Sequence, residues 1–402
     1  MTALLTGVAL MHTALVGVSA VATMFIADAV GAWWSGAPNT AAVLGTATGT
    51  LALSTLMTRR GRRAGLTLGY ATAALGAAVG LAAVFSDAPL LVVPAMVLLG
   101  IGNGAAQLSR YAAADLYPPD RRGLALSAVV WAGTIGAVVG PALISPATET
   151  ALSLGLPSFS GVFLVALVVT FGASLAMSGA PRISSQADQG VRPKTGPAGR
   201  ARLITHPRAK VALASMITGQ ITMVAIMTMT PLHMHQHGRG LGAIGLVLSA
   251  HALGMFALSP VTGWLTDRSG SSTTIVLGLA VLVGAALLAV IAPNVDGVAL
   301  PVSMFLLGYG WNLTHVGGSS LLTHGLPVAE QTRLQGAVDS VVWAVSAVAT
   351  LGSGIVFAIG GLSLLAVVGG SLVIYPVVVL TLRKNELGLL GARYLPCGET
   401  TS

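Results

Sequence analysis

Apolar runs of roughly 20 residues recur about a dozen times along this 402-residue chain, and each is long enough to cross a bilayer as a helix. The runs read 4–28, 39–57, 66–86, 90–110, 124–145, 159–178, 210–231, 241–264, 274–292, 300–321, 335–358 and 362–382. Charged residues make up only 8% of the chain, against roughly 25% in a soluble domain. Such a chain cannot cover a water-facing surface, so most of its surface must meet lipid. The 51 glycines fit that reading, because small residues let helices approach closely where lipid gives no hydrophobic drive for association. The expected fold class is an all-α integral membrane protein with twelve transmembrane helices. The first run is long and lacks a basic start, so it is expected to remain as a helix rather than be cleaved as a signal peptide. The single cysteine, Cys397, lies in the polar tail, which excludes an intramolecular disulfide.

The formal net charge is +8. Its placement matters more than its sum. With alternating loops, every Lys and Arg except Arg239 falls on one side, including the cluster Arg59, Arg60, Arg62 and Arg63. Asp87, Glu149 and Asp296 lie in the opposite loops. The positive-inside rule makes the basic side cytoplasmic. Both termini are then inside, and a bacterial plasma (inner) membrane is the expected location. The basic charge reports topology and gives no reason to expect nucleic acid as a partner.

Residues 180–209 are polar, basic and rich in Pro and Gly, which reads as a cytoplasmic linker. It divides the chain into a bundle at 1–179 and a bundle at 210–383, followed by a tail at 384–402. The halves resemble each other at a shift of about 209 residues. "LLGIGN" (98–103) recurs as "LLGYGWN" (306–312), "VVWA" occurs at 129–132 and 341–344, and "STLMTRRGRR" (54–63) aligns with "GWLTDRSGSS" (263–272). Repeated bundles around a midplane site are the usual build of a secondary transporter.

These residues carry a resemblance. "GWLTDRSG" is similar to the second copy of the loop signature of the major facilitator superfamily, through Gly263, Asp267, Arg268 and Gly270. The first copy keeps Arg59, Gly61, Arg62 and Arg63 but has Thr58 where the family usually places Asp. In the family this loop helps to latch the inner gate. "GAVVGP" (136–141) resembles the Gly-Pro motif of the fifth span. The resemblance implies two pseudo-symmetric six-helix bundles working by alternating access. No GxxxxGK[ST] run is present, which argues against an ATP-driven pump. No nucleophile, base and orienting group emerge together, so an enzyme is not expected.

An ionisable group inside a span is a functional-site candidate by default. His12 and Asp28 lie in the first run, His251 in the eighth, His315 in the tenth and Asp339 early in the eleventh. Asp28 and Asp339 are near span ends, where they can reach water, and His12 reads as a capping or interhelix bond. His251 is followed four residues later by Met255, and the seventh run carries Met223 and Met227 at the same spacing. Residues four apart share a helix face. Taking the outer loop as roughly 232–240 puts Met223 about 12 Å and His251 about 15 Å below the outer helix ends. Thioether sulfur prefers Cu(I), and imidazole also suits copper. Met is also a common packing residue, but the repeat places Ala14, Val18, Ala42 and Thr46 at the equivalent first-half positions, so the scaffold does not demand these side chains.

The loop itself reads "PLHMHQHGRG", with His233, Met234, His235 and His237 as an outer capture tract and Met229 one turn below. MxxxM in the seventh span and HxxxM in the eighth resemble the CcoA-like copper importers of bacteria, which belong to the same superfamily. That resemblance implies copper import through Met223, Met227, His251 and Met255, with copper as transported substrate and no resident cofactor. Asp28, Trp311, Asn312 and His315 are candidate cavity-lining residues. The alternative is proton-coupled efflux of drugs or other small organic solutes, with Asp28 as the proton carrier. A sensor that binds metal without moving it would need a soluble output domain, and linker and tail are short. The expected partners are the transported ion or small molecule and the lipid bilayer, with the chain acting as a monomer.

Overall fold

The computed structural model describes residues 1–114, 116, 122–180, 207–291, 297–323 and 328–382. The described residues are helical and contain no strand. The first half comprises α1 (Thr2–Val30), α2 (Ala37–Arg60), α3 (Arg62–Phe85), α4 (Val92–Ala114), α5 (Arg122–Ala142), α6 (Ile144–Ser153) and α7 (Ser160–Ser178). Short 3-10 turns at Ala32–Trp34 and Pro89–Leu91 precede α2 and α4. The second half comprises α8 (Pro207–Gln236), α9 (Leu241–Phe256), α10 (Ser259–Ser269), α11 (Ser271–Ile291), α12 (Ala299–Thr323), α13 (Val328–Ser371) and α14 (Ile374–Leu382). Most of the expected linker, Cys397 and the tail lie outside the described residues, as does the side chain of Asp339.

Among the described residues, nine helices are long and apolar enough to cross a membrane, or ten when the bent pair Ala128–Ala142 and Ile144–Ser153 is one span. The difference from twelve apolar runs has physical causes. Tyr309, Trp311, Asn312 and His315 lower the hydropathy of α12, which is nevertheless 25 residues long. The last two runs merge in α13, where Gly360 and Gly361 are non-helical. Pro141 sits at the end of α5, and the chain bends there by 43° into α6. A helix-interior Pro removes a hydrogen bond and clashes with the preceding turn, which accounts for the bend.

The repeat is visible in the backbone. Gly61 joins α2 to α3 with φ 83° and ψ 160°, and Gly270 joins α10 to α11 with φ 84° and ψ 155°. Both amides bond back to the preceding helix, to Met57 O and Thr266 O, each at 3.0 Å. Only Gly takes this left-handed turn without strain. The two positions are related by the shift seen in the sequence.

One loop expectation is corrected. The helix does not stop near residue 231 but runs through Pro231 to Gln236. Met223 is therefore about 20 Å from the end of its helix, deeper than His251 below Leu241. α8 and α9 are also not close-packed partners. α8 lies mainly against α13 and then α12, whereas α9 lies mainly against α12 and turns its other side to α5.

The eighth run breaks between α9 and α10, and Asn312 of α12 braces the break. Its Nδ2 donates to Met255 O at 2.7 Å and to Ser259 Oγ at 2.9 Å, while Thr262 Oγ1 donates to its Oδ1 at 2.7 Å. Asn312 thus supplies donors to backbone and side-chain groups that the broken helix leaves open.

The contacts that join the halves cluster at the end opposite Arg59–Arg63. There α5 meets α9, α2 and the Ala32–Trp34 turn meet α13, and α1 meets α8. A Cβ on Gly36 would collide with the Thr350 carbonyl, and one on Gly245 with the Pro141 carbonyl. Thr40 Oγ1 donates to Ala347 O at 3.2 Å, and Ser249 Oγ donates to Val138 O at 2.8 Å. Replacing Gly245 with Leu is expected to hold this end open. In a Cys397→Ser, Asn39→Cys background, an impermeant thiol reagent added from that side should modify Cys several-fold faster than without the Leu; an unchanged rate would show that the contact does not seal. Asn312→Ala is expected to cost about 1–3 kcal/mol, because buried groups lose their partners, read as a lower unfolding midpoint in detergent.

Candidate functional site

A cavity of about 190 Å³ lies between the halves, beneath the closed end. The first half contributes Leu15, Val16, Ser19 and Ala20 from α1, Asn39, Ala42, Val43 and Thr46 from α2, and Asn103 from α4. The second half contributes Val224, Met227, Thr228 and Pro231 from α8, Leu248 from α9, and Trp343 and Thr350 from α13. None of these side chains carries a formal charge. Pro231 has no N–H to give the Met227 carbonyl, which leaves a helix acceptor without its usual donor at this wall. Asn39 is anchored through Nδ2 to Thr23 Oγ1 at 2.9 Å, and Asn103 through Nδ2 to Thr46 Oγ1 at 3.2 Å.

The soft-ligand residues divide between this cavity and the interior of the second half. Met227 lines the cavity, whereas Met223 is buried in the apolar core. His251 is 1% exposed and belongs to the seam between α9 and α12. Its Nδ1 donates to Met304 O at 3.0 Å, and its Nε2 is buried without a hydrogen-bond partner. Gly254 and Gly308 let the two helices approach here; a Cβ on Gly308 would meet the His251 carbonyl. Met255 is half-buried at the same seam, where its carbonyl accepts from Asn312. Met304 Sδ accepts from Thr230 Oγ1 of α8 at 3.4 Å.

The outer tract is less open than a loop would be. His233, Met234 and Met229 are buried, and Met229 Sδ accepts from Ser35 Oγ of the first half at 3.2 Å. His235 reaches across to Asp28, Nε2 to Oδ2, at 3.1 Å, and its ring tilts against Phe159 at 6.3 Å. The His237 ring lies tilted against His233 at 4.2 Å, and its Nδ1 donates to the His233 carbonyl at 2.7 Å. Asp28 therefore sits at the rim, half exposed, as part of the contact between halves. Among the described residues, no three His, Cys, Asp or Glu side chains converge as a metal site.

The other candidates build walls and latches. Trp311 Nε1 donates to Gln220 Oε1 at 2.7 Å, Gln220 Nε2 donates to Ser346 Oγ at 2.7 Å, and His315 stacks on Trp311 at 4.8 Å. This chain ties α8, α12 and α13 together. His12 bonds Gly133 O through Nδ1 at 3.1 Å, an interhelix bond, the second of the two roles expected of it. Arg63 donates to the Ser178 carbonyl, while Asp267 and Arg268 are exposed at the end of α10, with Arg268 over the Trp264 ring at 5.4 Å. A Cβ at Gly263 would meet nothing, so packing does not require that glycine. Asn39, Asn103 and Trp343 were not among the expected site residues. Two had a signal: Asn103 ends "LLGIGN", and Trp343 lies in the second "VVWA".

Among curated proteins, the MFS-type transporter YdeG of Bacillus subtilis (strain 168) is 32% identical over 356 residues, 86% of this chain and 83% of its own length. YddS of the same organism is 32% identical over 364 residues, covering 88% and 83%. The riboflavin transporter RfnT of Brucella anthropi is 29% identical over 316 residues, 77% of each chain. Among solved structures, a D-xylose-proton symporter superposes with a TM-score of 0.71 at 15% identity, over 93% of this chain and 96% of its own. A bacterial homologue of the lysosomal transporter Spinster gives 0.68 at 15% identity, over 96% and 95%. The sequence model of the Major Facilitator Superfamily matches residues 3–351 and 212–389, and the chain belongs to that superfamily.

Proposed function

We propose that this protein is a secondary transporter of the bacterial plasma membrane that carries a small, neutral, ring-bearing organic solute by alternating access. We count twelve crossings, with α5 and α6 forming one, α9 and α10 forming another, and α13 divided at Gly360–Gly361. The arginine-rich end is taken as cytoplasmic, so the closed end faces outward and the described state faces inward.

The observation that carries this reading is the composition of the cavity between the halves. Its lining offers amide, hydroxyl, thioether and indole groups and no charge. Charged cargo would be left without a counter-ion there, at a cost that an apolar surrounding makes large. A neutral molecule with a few hydrogen-bonding groups meets partners of its own kind. The relative named as a riboflavin transporter handles a molecule of this class. The exposed Asp267, with no ion pair among the described residues, agrees with a latch that is released at the cytoplasmic end.

Copper import through Met223, Met227, His251 and Met255 is the second reading. It is favoured by one observation: His251 Nε2 is a buried ligand atom with no partner, on the turn before Met255. The two readings separate in proteoliposomes that hold the purified protein. Uptake of radiolabelled riboflavin is expected above that of empty vesicles, and Met223→Ala with His251→Ala is expected to leave it within about twofold of wild type at equal protein content, since neither side chain lines the cavity. Absence of uptake for riboflavin and other neutral ring solutes, with ⁶⁴Cu uptake that the double substitution abolishes, would establish the copper reading instead.

A further inference from the structure

His12 stands on the face of α1 that borders the cavity. Leu15, Val16 and Ser19 lie three, four and seven residues further along and line it. His12 therefore belongs to the same stripe, one turn toward the cytoplasmic end. The lining itself holds no titratable side chain. His12 is the titratable side chain that this helix face carries next below it, and it is half-buried.

The groups around the ring set its chemistry. Nδ1 lies 3.1 Å from Gly133 O of α5, and a carbonyl only accepts, so this nitrogen carries a proton. On α4 the ring meets the amide of Asn103. The direction of that amide is fixed by its other neighbour. Thr46 Oγ1 gives its own proton to Ala42 O at 2.9 Å, so toward Asn103 it accepts, and Asn103 presents Nδ2 to it at 3.2 Å. Oδ1 is left for His12, yet in the described state it is buried and makes no hydrogen bond. The ring is thus set between two oxygens that only accept. A neutral imidazole has one N–H and serves one of them, whereas an imidazolium has two and serves both. With Gly133 O served and Oδ1 left over, the described state is the one-proton state.

We propose that His12 is the proton-coupling site of the transporter and that the neutral solute enters together with one proton. This rests on the neutral-solute reading and adds its driving force. With the outer end open, the proton reaches the ring through the cavity and binds the free nitrogen, and the new N–H bonds Asn103 Oδ1. With the inner end open, the proton leaves to the cytoplasm, which restores the described state. Asn103 and Thr46 both line the cavity, so the proton on His12 bears on the wall that cargo meets. Asn103 is held by Thr46 and His12 with the proton bound, and by Thr46 alone without it. Arg110 of α4 is the charged group that acts on the ring, and it repels an imidazolium, which favours release. Tyr70 of α3 packs on the same helix at Gly7, with its hydroxyl engaged by Ser109 Oγ at 3.1 Å. Asp28 is occupied at the outer rim by His235.

The test uses proteoliposomes that hold the purified full-length protein, with radiolabelled riboflavin as the probe and the membrane potential clamped at zero. With the outside about one pH unit more acid than the lumen, one proton per solute allows accumulation to about tenfold above the outside concentration. Wild type is expected to accumulate riboflavin in that gradient and to lose the accumulation when a protonophore is added. His12→Asn keeps an N–H for Gly133 O and cannot take up a proton. It should still exchange labelled for unlabelled riboflavin at equal pH, a cycle without net proton movement, yet only equilibrate in the gradient. Accumulation by His12→Asn, or a parallel loss of exchange and accumulation, would overturn the proposal, the second result marking His12 as structural. Should His12→Asn fail to fold, wild type still decides: riboflavin added outside at equal pH should acidify the lumen, read by a trapped pH dye. Riboflavin uptake that neither acidifies the lumen nor exceeds equilibrium in the gradient would overturn the coupling and leave the neutral-solute reading intact. Transport of no neutral ring solute under either condition would overturn both.

Discussion

The seal between the two halves is the contact on which the rest of the structure depends. At Gly36 and Gly245 the halves meet with no side chain between them, glycine against the carbonyls of Thr350 and Pro141. Lipid provides no hydrophobic reason for the halves to stay together, so the seal rests on close backbone fit and a few bonds such as Ser249 to Val138 O. The His235–Asp28 pair joins the same rim, but it is partly exposed, and exposed ion pairs contribute little. A seal of this kind is tight by shape and weak in energy. That combination is what a rocking transporter requires, because it must come apart on each cycle. The cavity owes its position to the seal, since it hangs directly beneath.

The second half holds two polar systems with separate tasks. One is the bracing around the break in the eighth span, where Asn312 and the α9–α12 seam hold His251 and Met255. The other is the chain from His315 and Trp311 through Gln220 to Ser346, which ties three helices. The second pairs Trp311, Gln220 and Ser346 with one another, whereas the first leaves His251 Nε2 buried without a hydrogen-bond partner. The cavity wall is polar without charge, through Asn39, Thr46, Asn103 and Trp343.

Much of the architecture was legible in the sequence. Lengths of apolar runs gave the helices within a few residues, and the alignment of "TRRGRR" (58–63) with "DRSGSS" (267–272) corresponds to matching left-handed turns at Gly61 and Gly270. Other features were hidden for physical reasons. Pro231 reads as a helix end, yet packed neighbours carry α8 through it. That shifted Met223 inward and turned the expected loop tract into helix, with His233 and Met234 buried. Four-residue spacing showed that Met223 and Met227 share a helix face, but not which neighbour that face meets. Only Met227 reaches the cavity lining. Asn103 and Trp343 were visible as parts of repeats, whereas their place in the lining of one cavity emerges only from the fold.

The central claim is that cargo occupies the cavity between the halves and not the seam around His251. Thiol modification at Val43→Cys, in a Cys397→Ser background, addresses it most directly, because Val43 lines the cavity and is far in sequence from the seam. The account predicts that a methanethiosulfonate reagent blocks riboflavin uptake in this variant and that excess riboflavin slows the modification. Full uptake after complete modification, with no protection by riboflavin, would contradict it.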